Sequence, residues 1–201
     1  MSEIAILGTG RIGGTLARKW SAAGHRLWLG ARDPGKASIV ALADELGAMV
    51  SLIAEAVDAA EVVLFAIPGE RMAATIADLG ARLEGKVAID AANNVRGTAM
   101  NSLEAIRENA PGASYARAFN TLGWEIMADP IVAGEPASMF YCSTPRAQDE
   151  VESLIRDVGL GPVRVGAEDE VEVVDGVLRL WFTLVMKQGR SRRLAFRALQ
   201  E

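Results

Sequence analysis

Apolar positions along this chain come in two alternating kinds of run, short continuous ones and longer ones spaced by three and four. Glu3-Ile4-Ala5-Ile6-Leu7 is the first continuous run. It is followed by Ile12, Leu16, Trp20 and Ala23 at helical spacing, with Gly24 ending that helix. His25–Leu29 predicts a second strand. Asp33 and Pro34 are then placed as N-cap and first helical residue of a helix to about Leu46. A short strand around 48–52 and a segment 54–60 lead into Glu61–Pro68, whose unbroken apolar run suits a parallel strand buried on both faces. Further on, helices are predicted over 71–83, 103–109 and 146–158, the last capped by Thr144-Pro145. Strands are predicted over 86–91, 114–119, 138–142 and 162–165. This order implies an α/β fold, a Rossmann-type doubly wound, mostly parallel sheet with right-handed crossovers.

From Asp169 the pattern changes. Asp169 and Glu172 have capping-box spacing, and Val173, Val174, Val177, Trp181, Leu184 and Val185 form a long apolar stripe. Gly189 breaks this helix before a basic segment with Arg190, Arg192, Arg193 and Arg197, which reads as a solvated helix face. Residues 1–168 are therefore expected to form a dinucleotide-binding domain, and 169–201 a small helical C-terminal extension acting as cap or dimer element.

The junction of the first strand and helix carries the chemistry. Gly8-Thr9-Gly10-Arg11-Ile12-Gly13 is a Gly-x-Gly-x-x-Gly turn in the context that a dinucleotide requires. Gly8 makes the tight turn and Gly10 leaves room for a phosphate. Gly13 lets the helix approach the strand, with free N–H groups and the positive dipole end facing a pyrophosphate. The end of the second strand selects the cofactor. An NAD site usually places an acid there for the ribose, whereas this chain has Gly30-Ala31-Arg32, then Asp33 and Lys36. The planar Arg32 guanidinium, Lys36 in a helical first turn and the Thr9 hydroxyl suit a 2′-phosphate, so NADP is expected. The other reading makes Arg32 and Lys36 surface cations and Asp33 the ribose acid.

Ligands of open parallel sheets lie at the carboxyl ends of the strands. Four loops are expected there: Ala66-Ile67-Pro68, Ala91-Ala92-Asn93, Asn120-Thr121-Leu122 and Cys142-Ser143-Thr144. Ala66 and Ala91 would let the cofactor lie close to the backbone. Ile67 and Pro68 would form a wall, and Asn93 and Asn120 could bond ribose or carboxamide.

Composition removes other classes. Lys plus Arg number 21 against 26 Asp plus Glu, a net charge of −5 that argues against nucleic-acid binding. Apolar runs stop short of a membrane span and no signal peptide precedes the first strand. The single Cys142 can form no internal disulfide, which fits a cytoplasmic setting. The only histidine, His25, lies at the amino end of the sheet and is read as a turn residue. No catalytic triad and no metal-ligand spacing occurs. No catalytic side chain is therefore assigned, which favours hydride exchange between two redox cofactors, where orientation matters more than acid–base groups.

These segments resemble the NADPH-dependent reductases of the deazaflavin coenzyme F-420. The likeness rests on Gly8–Gly13, Gly24-His25, Gly30-Ala31-Arg32, Val62–Pro68, Phe119–Gly123 and Leu180–Leu184. The resemblance implies a Rossmann domain with a small C-terminal part, a homodimer, and hydride exchange between NADP and the reduced deazaflavin. It assigns Thr9, Arg32 and Lys36 to the 2′-phosphate. Ala31 stands where the family often has serine, and the Asp90–Asn94 and Asn120–Gly123 loops differ from the family's proline- and histidine-containing turns. The expected function is NADP-dependent hydride transfer with a deazaflavin- or flavin-like acceptor. The alternatives are reduction of a small carbonyl or imine, with water or Thr121 relaying the proton, and a non-catalytic NADPH-binding regulatory module.

Overall fold

In the computed structural model, which describes residues 1–199, the continuous apolar runs become strands of one eight-stranded sheet. The elements in chain order are β1 (Glu3–Leu7), α1 (Arg11–Ala22), β2 (Arg26–Ala31), α2 (Ala37–Leu46), β3 (Met49–Leu52), α3 (Ile53–Ala59) and β4 (Val62–Phe65). Then come α4 (Met72–Leu79), β5 (Val87–Asp90), α5 (Leu103–Asn109), β6 (Ser114–Arg117) and α6 (Trp124–Ala128). The chain finishes with β7 (Ile131–Val132), β8 (Glu135–Pro136), β9 (Ser138–Ser143), α7 (Gln148–Val158), β10 (Gly161–Gly166) and α8 (Val171–Phe182).

The sheet order is β10-β9-β6-β5-β4-β1-β2-β3. Alternate residues of each strand feed opposite faces. Ile4 and Ile6 pack with Leu16 and Trp20 of α1, Leu42 of α2 and Leu154 of α7. Ala5 and Leu7 pack with Val57 of α3, Ile76 of α4, Ile106 of α5 and Val174 of α8. Helices thus cover both faces, as the unbroken apolar β4 requires. Burying Trp20 strands its indole N–H, which donates to the Leu154 carbonyl at 3.0 Å.

One pairing departs from the predicted parallel order: β9 runs antiparallel to β6. A parallel pair needs a crossover that carries the chain back across the sheet. Between β6 and β9 there are only the five-residue α6 and the small β7–β8 hairpin, so β9 starts at the end where β6 stopped. The Cys142-Ser143-Thr144 turn therefore leaves away from the carboxyl ends of β1–β6, and of the four loops expected around the ligand it is excluded.

Four local expectations also change. Asp33 is not the N-cap of α2. Its Oδ1 accepts from the Gly35 N–H at 3.1 Å, forming an Asx turn, and the helix begins after Lys36. Gly80, at φ +45, ends α4 early, so 71–83 is not one helix. Asp169 and Glu172 form no capping box, and the Glu172 carboxylate instead meets Asn101 and Arg179. Thr144 gives α7 no side-chain cap, its hydroxyl being buried without a partner.

The basic tail is not a helix face either. After one wide turn over Thr183–Lys187 the chain folds back along α6 and the hairpin. Arg192 pairs with Glu125, Arg193 with Asp129 and Arg197 with Glu135. Trp181 Nε1 donates to the Leu194 carbonyl at 2.9 Å, fastening this strap to α8. His25 takes the structural role expected of it. Its Nδ1 accepts from the Ser2 N–H at 3.1 Å, which leaves Nε2 to donate to Asp157 at 3.0 Å. No helix among the described residues is long and apolar enough to cross a membrane.

Candidate dinucleotide-binding site

β1 ends in a turn that only glycine can make. Gly8 has φ +100, and a Cβ there would lie 2.4 Å from the Ala66 carbonyl oxygen. A Cβ on Gly13 would lie 1.9 Å from the Gly8 carbonyl oxygen, so α1 could not seat so close to β1 with any other residue. Gly10 differs from both: nothing of the protein lies within 4 Å of where its Cβ would be. It is the N-cap of α1, offers no side-chain cap, and no acidic residue occupies the first turn. The leading N–H groups of α1 are thus without side-chain acceptors beside open space, which fits an anionic pyrophosphate.

The space in front of them is a cleft of about 720 Å³. It brings together, from the predicted residues, Gly8, Thr9, Gly10, Arg11 and Ile12 of the loop, Ala31, Arg32 and Lys36 beyond β2, and Ala66, Ile67 and Pro68 beyond β4. Gly13 lies buried behind the loop. Arg32 and Lys36 are exposed, and among the described residues neither pairs with a carboxylate. Asp33 also lines the cleft, with one carboxylate oxygen engaged by the Gly35 N–H. Thr9 and the two cations therefore line one cleft at the end of β2, and neither cation is paired with the Asp33 carboxylate that shares it.

A smaller cavity of about 270 Å³ adjoins the cleft, sharing Gly8, Arg32, Ile53, Ile67 and Pro68 and adding Arg71 and Thr75. Sequence reasoning did not single out Arg71 and Thr75. Their signal was available: four residues apart, they open the helical segment that follows β4, on the ligand side of the sheet.

At the other end of the crevice the expectation fails in an informative way. Ala91, Asn93 and Asn120 do not line the cleft. Ala91 is buried, its N–H donating to the Phe65 carbonyl at 3.1 Å. The Asn93 amide is engaged at both ends: Oδ1 accepts from Arg117 Nη2 at 2.7 Å and Nδ2 donates to the Asn120 carbonyl at 3.2 Å. Asn120 is buried, and with its oxygen facing Arg117 it accepts from Nη2 and Nε at 3.2 and 3.3 Å. Thr121 is fully buried, its hydroxyl 3.7 Å from the Met139 sulfur.

Arg117, an ordinary strand residue by its sequence context, is the centre of this region. It is fully buried at the end of β6, between Asp90 of β5 and Asp175 of α8. Nε and Nη2 reach Asp175 Oδ1 at 2.9 and 2.7 Å, and Nη1 reaches Asp90 Oδ1 at 3.0 Å and the Ala92 carbonyl. Asp90 also accepts from the Ala92 and Ser102 N–H groups and from the Tyr115 hydroxyl. Burial pushes the Asp90 pKa up, against the pull of Arg117 and these donors. Burial and then Asp90 hold Tyr115 well above its usual value, so it stays a neutral donor. Burial opposes the guanidinium charge too, but the surrounding carboxylates outweigh it and Arg117 stays protonated. The signal in the sequence was a charge of each sign inside an apolar pattern: Arg117 in Tyr115–Phe119, and Asp175 in Val171–Val177.

Arg11, which lines the cleft, lies 5.8 Å over the ring of Trp124 at the start of α6. Cys142 is the buried strand thiol expected, and burial pushes it up to about 12. No cluster with metal-ligand composition occurs among the described residues.

Residues 3–94 match the family described as NADP oxidoreductase, coenzyme F420-dependent. Over its full length the chain is similar to a candidate F420-dependent NADP reductase from Arthrobacter sp. FB24, with a TM-score of 0.85, 26% identity and 100% of each chain covered. A hypothetical protein from Sinorhizobium meliloti is similar at a TM-score of 0.70 and 29% identity, over 83% of this chain and 86% of that one. An imine reductase from Streptomyces aurantiacus shares the fold at a TM-score of 0.68 and 16% identity, over 91% of this chain and 61% of that one. No curated protein matches the sequence.

Proposed function

We propose, from the match of residues 3–94 to the family described as NADP oxidoreductase, coenzyme F420-dependent, that this chain binds NADP(H) in the cleft and exchanges hydride with a deazaflavin- or flavin-like acceptor. The N-terminal end of α1 would hold the pyrophosphate, and Thr9, Arg32 and Lys36 the 2′-phosphate. The small cavity between Arg32 and Arg71 would take the adenine. Ala66, Ile67 and Pro68 would carry the ribose and nicotinamide towards the ends of β4 and β5. The bound nicotinamide supplies the hydride chemistry, and the protein's part is to orient it and keep water from its inner face.

One observation carries the choice of acceptor class. The ionisable groups Asp90 and Arg117 at the ends of β5 and β6, Tyr115 within β6 and Asp175 of α8 are all buried and bonded to one another. None is free to move a proton to or from a carbonyl or imine, and Thr121 is buried as well. Hydride exchange with an acceptor that manages its own proton needs no such group.

The test is to mix the protein with NADPH and, separately, oxidised coenzyme F-420, FMN, or a panel of small carbonyls and imines, following NADPH absorbance. Turnover with F-420 or FMN supports the proposal. Turnover with the small substrates alone would replace it with the reductase reading. Tight NADPH binding with no turnover on any of them would favour a regulatory module.

A further inference from the structure

The loop joining β5 to α5 covers residues 91–102 and has little structure of its own. Within it the Asn94 N–H donates to the Met100 carbonyl at 3.0 Å, and the Gly97 N–H to the Asn94 carbonyl at 3.1 Å. It leaves the sheet at the carboxyl ends of the strands, where its backbone presses on Gly69, whose Cβ would lie 2.4 Å from the Asn94 nitrogen. Its two ends are tied to Asp90 through the Ala92 and Ser102 N–H groups, and three of its acceptors are held by Arg117. The guanidinium holds the Ala92 carbonyl, Asn93 Oδ1 at 2.7 Å and the Met100 carbonyl at 3.4 Å. Asn93 passes the contact to the Asn120 carbonyl of the turn after β6. On its other side Arg117 is held by Asp175, which in turn takes Asn101 Nδ2 at 2.9 Å.

Stability does not account for this arrangement. A buried ion pair roughly breaks even against well-packed apolar residues of the same volume, because desolvation of the charges offsets their attraction. A guanidinium does offer several donors in one rigid plane, able to fix several acceptors at once. Here those acceptors belong to β5, its loop and α8.

We infer that Arg117, locked by Asp175, is a positioning residue that fixes the 91–102 loop as the wall facing the nicotinamide half of the cofactor. This rests on the reading that the cleft takes NADP(H), and not on the identity of the acceptor. It makes the C-terminal helix part of the site without touching the ligand: α8 sets the Asp175 carboxylate, Asp175 sets Arg117, and Arg117 sets the loop.

The test separates the two halves of the cofactor. Binding of 2′,5′-ADP reports the adenosine end, and binding of NADPH reports both ends. In Arg117→Lys, which keeps the charge and loses the fork, the 2′,5′-ADP dissociation constant should stay within about twofold of wild type. The ratio of the 2′,5′-ADP and NADPH constants should fall by about fivefold or more as the nicotinamide half loses its fixed wall. Asp175→Asn keeps the shape of the lock and removes its charge, so it serves if the lysine variant fails to fold. It should move the ratio in the same direction, with faster amide exchange over 91–102 and unchanged exchange in β1. A purely structural role would lower the unfolding midpoint and leave the ratio alone, and that result would overturn the inference. Failure of the wild-type protein to bind either ligand would overturn the NADP(H) reading and this inference with it.

Discussion

Replacing Arg32 with alanine is the sharpest perturbation of cofactor choice. Arg32 sits where the cleft and the smaller cavity meet, lining both. It is exposed and has no carboxylate partner among the described residues, so its removal breaks no interaction of the protein and should leave folding intact. On the proposed reading it would lose a charge-assisted bond to the 2′-phosphate, worth about 1.5–3 kcal/mol in general. Solvent at an exposed site screens the charge, so the lower half of that range applies, about 1.5–2 kcal/mol. The NADPH dissociation constant should rise about ten- to thirtyfold. NADH lacks the phosphate, and its constant should change only by the smaller loss of stacking on adenine. Lys36→Ala removes a flexible point charge and should cost NADPH only about two- to fivefold. Titrating both cofactors by fluorescence into wild type and the two variants measures these constants, and the proposed preference of wild type for NADPH should shrink at high salt. Equal losses for NADPH and NADH, or no loss for either, would refute the assignment of the 2′-phosphate and revive Asp33 as a ribose acid.

Other outcomes follow from single contacts. Gly13→Ala would force a Cβ to 1.9 Å from the Gly8 carbonyl oxygen, so α1 must shift. Urea denaturation should show a loss of about 1–3 kcal/mol, with weakened NADPH binding. Tyr141 donates to Glu152 at 2.6 Å and, ahead of Arg156, holds that carboxyl below its usual range. A lowered folded pKa adds stability above the unfolded value of about 4.5, lost as pH falls through the folded value. Unfolding midpoints of wild type and Tyr141→Phe should therefore differ at neutral pH and draw together in acid. Cys142, fully buried and pushed up to about 12, should resist a thiol reagent at pH 8 until the protein is unfolded.

The parts of the site that were legible in the sequence are those made by near neighbours. Gly8, Gly10 and Gly13 lie within six residues, and the positive φ of Gly8 and the close approach of Gly13 to the Gly8 carbonyl are local demands. Arg32 and Lys36 follow a strand whose end was readable from its apolar run, so they were placed in the cleft without knowledge of any other segment. The position of Lys36 survived a wrong cap, because the Asp33–Gly35 turn holds it near the same point. Asn93 and Asn120 lie outside the cleft and bond Arg117 instead, which no local signal announces, because a loop asparagine reads the same whether it faces a ligand or a buried guanidinium.

The sequence by itself determined the elements, the two-sided burial of the sheet and the dinucleotide loop, since periodicity and turn chemistry act over a few residues. Only the tertiary structure decided the direction of β9, because a short connection and a crossover differ in where the chain travels rather than in which residues are apolar. It alone joined Asp90, Arg117 and Asp175, separated by 27 and 58 positions, into one cluster. The charge of each residue was visible in an apolar run. Its partner was not, because the choice of partner belongs to the packing of three elements and to none of them singly.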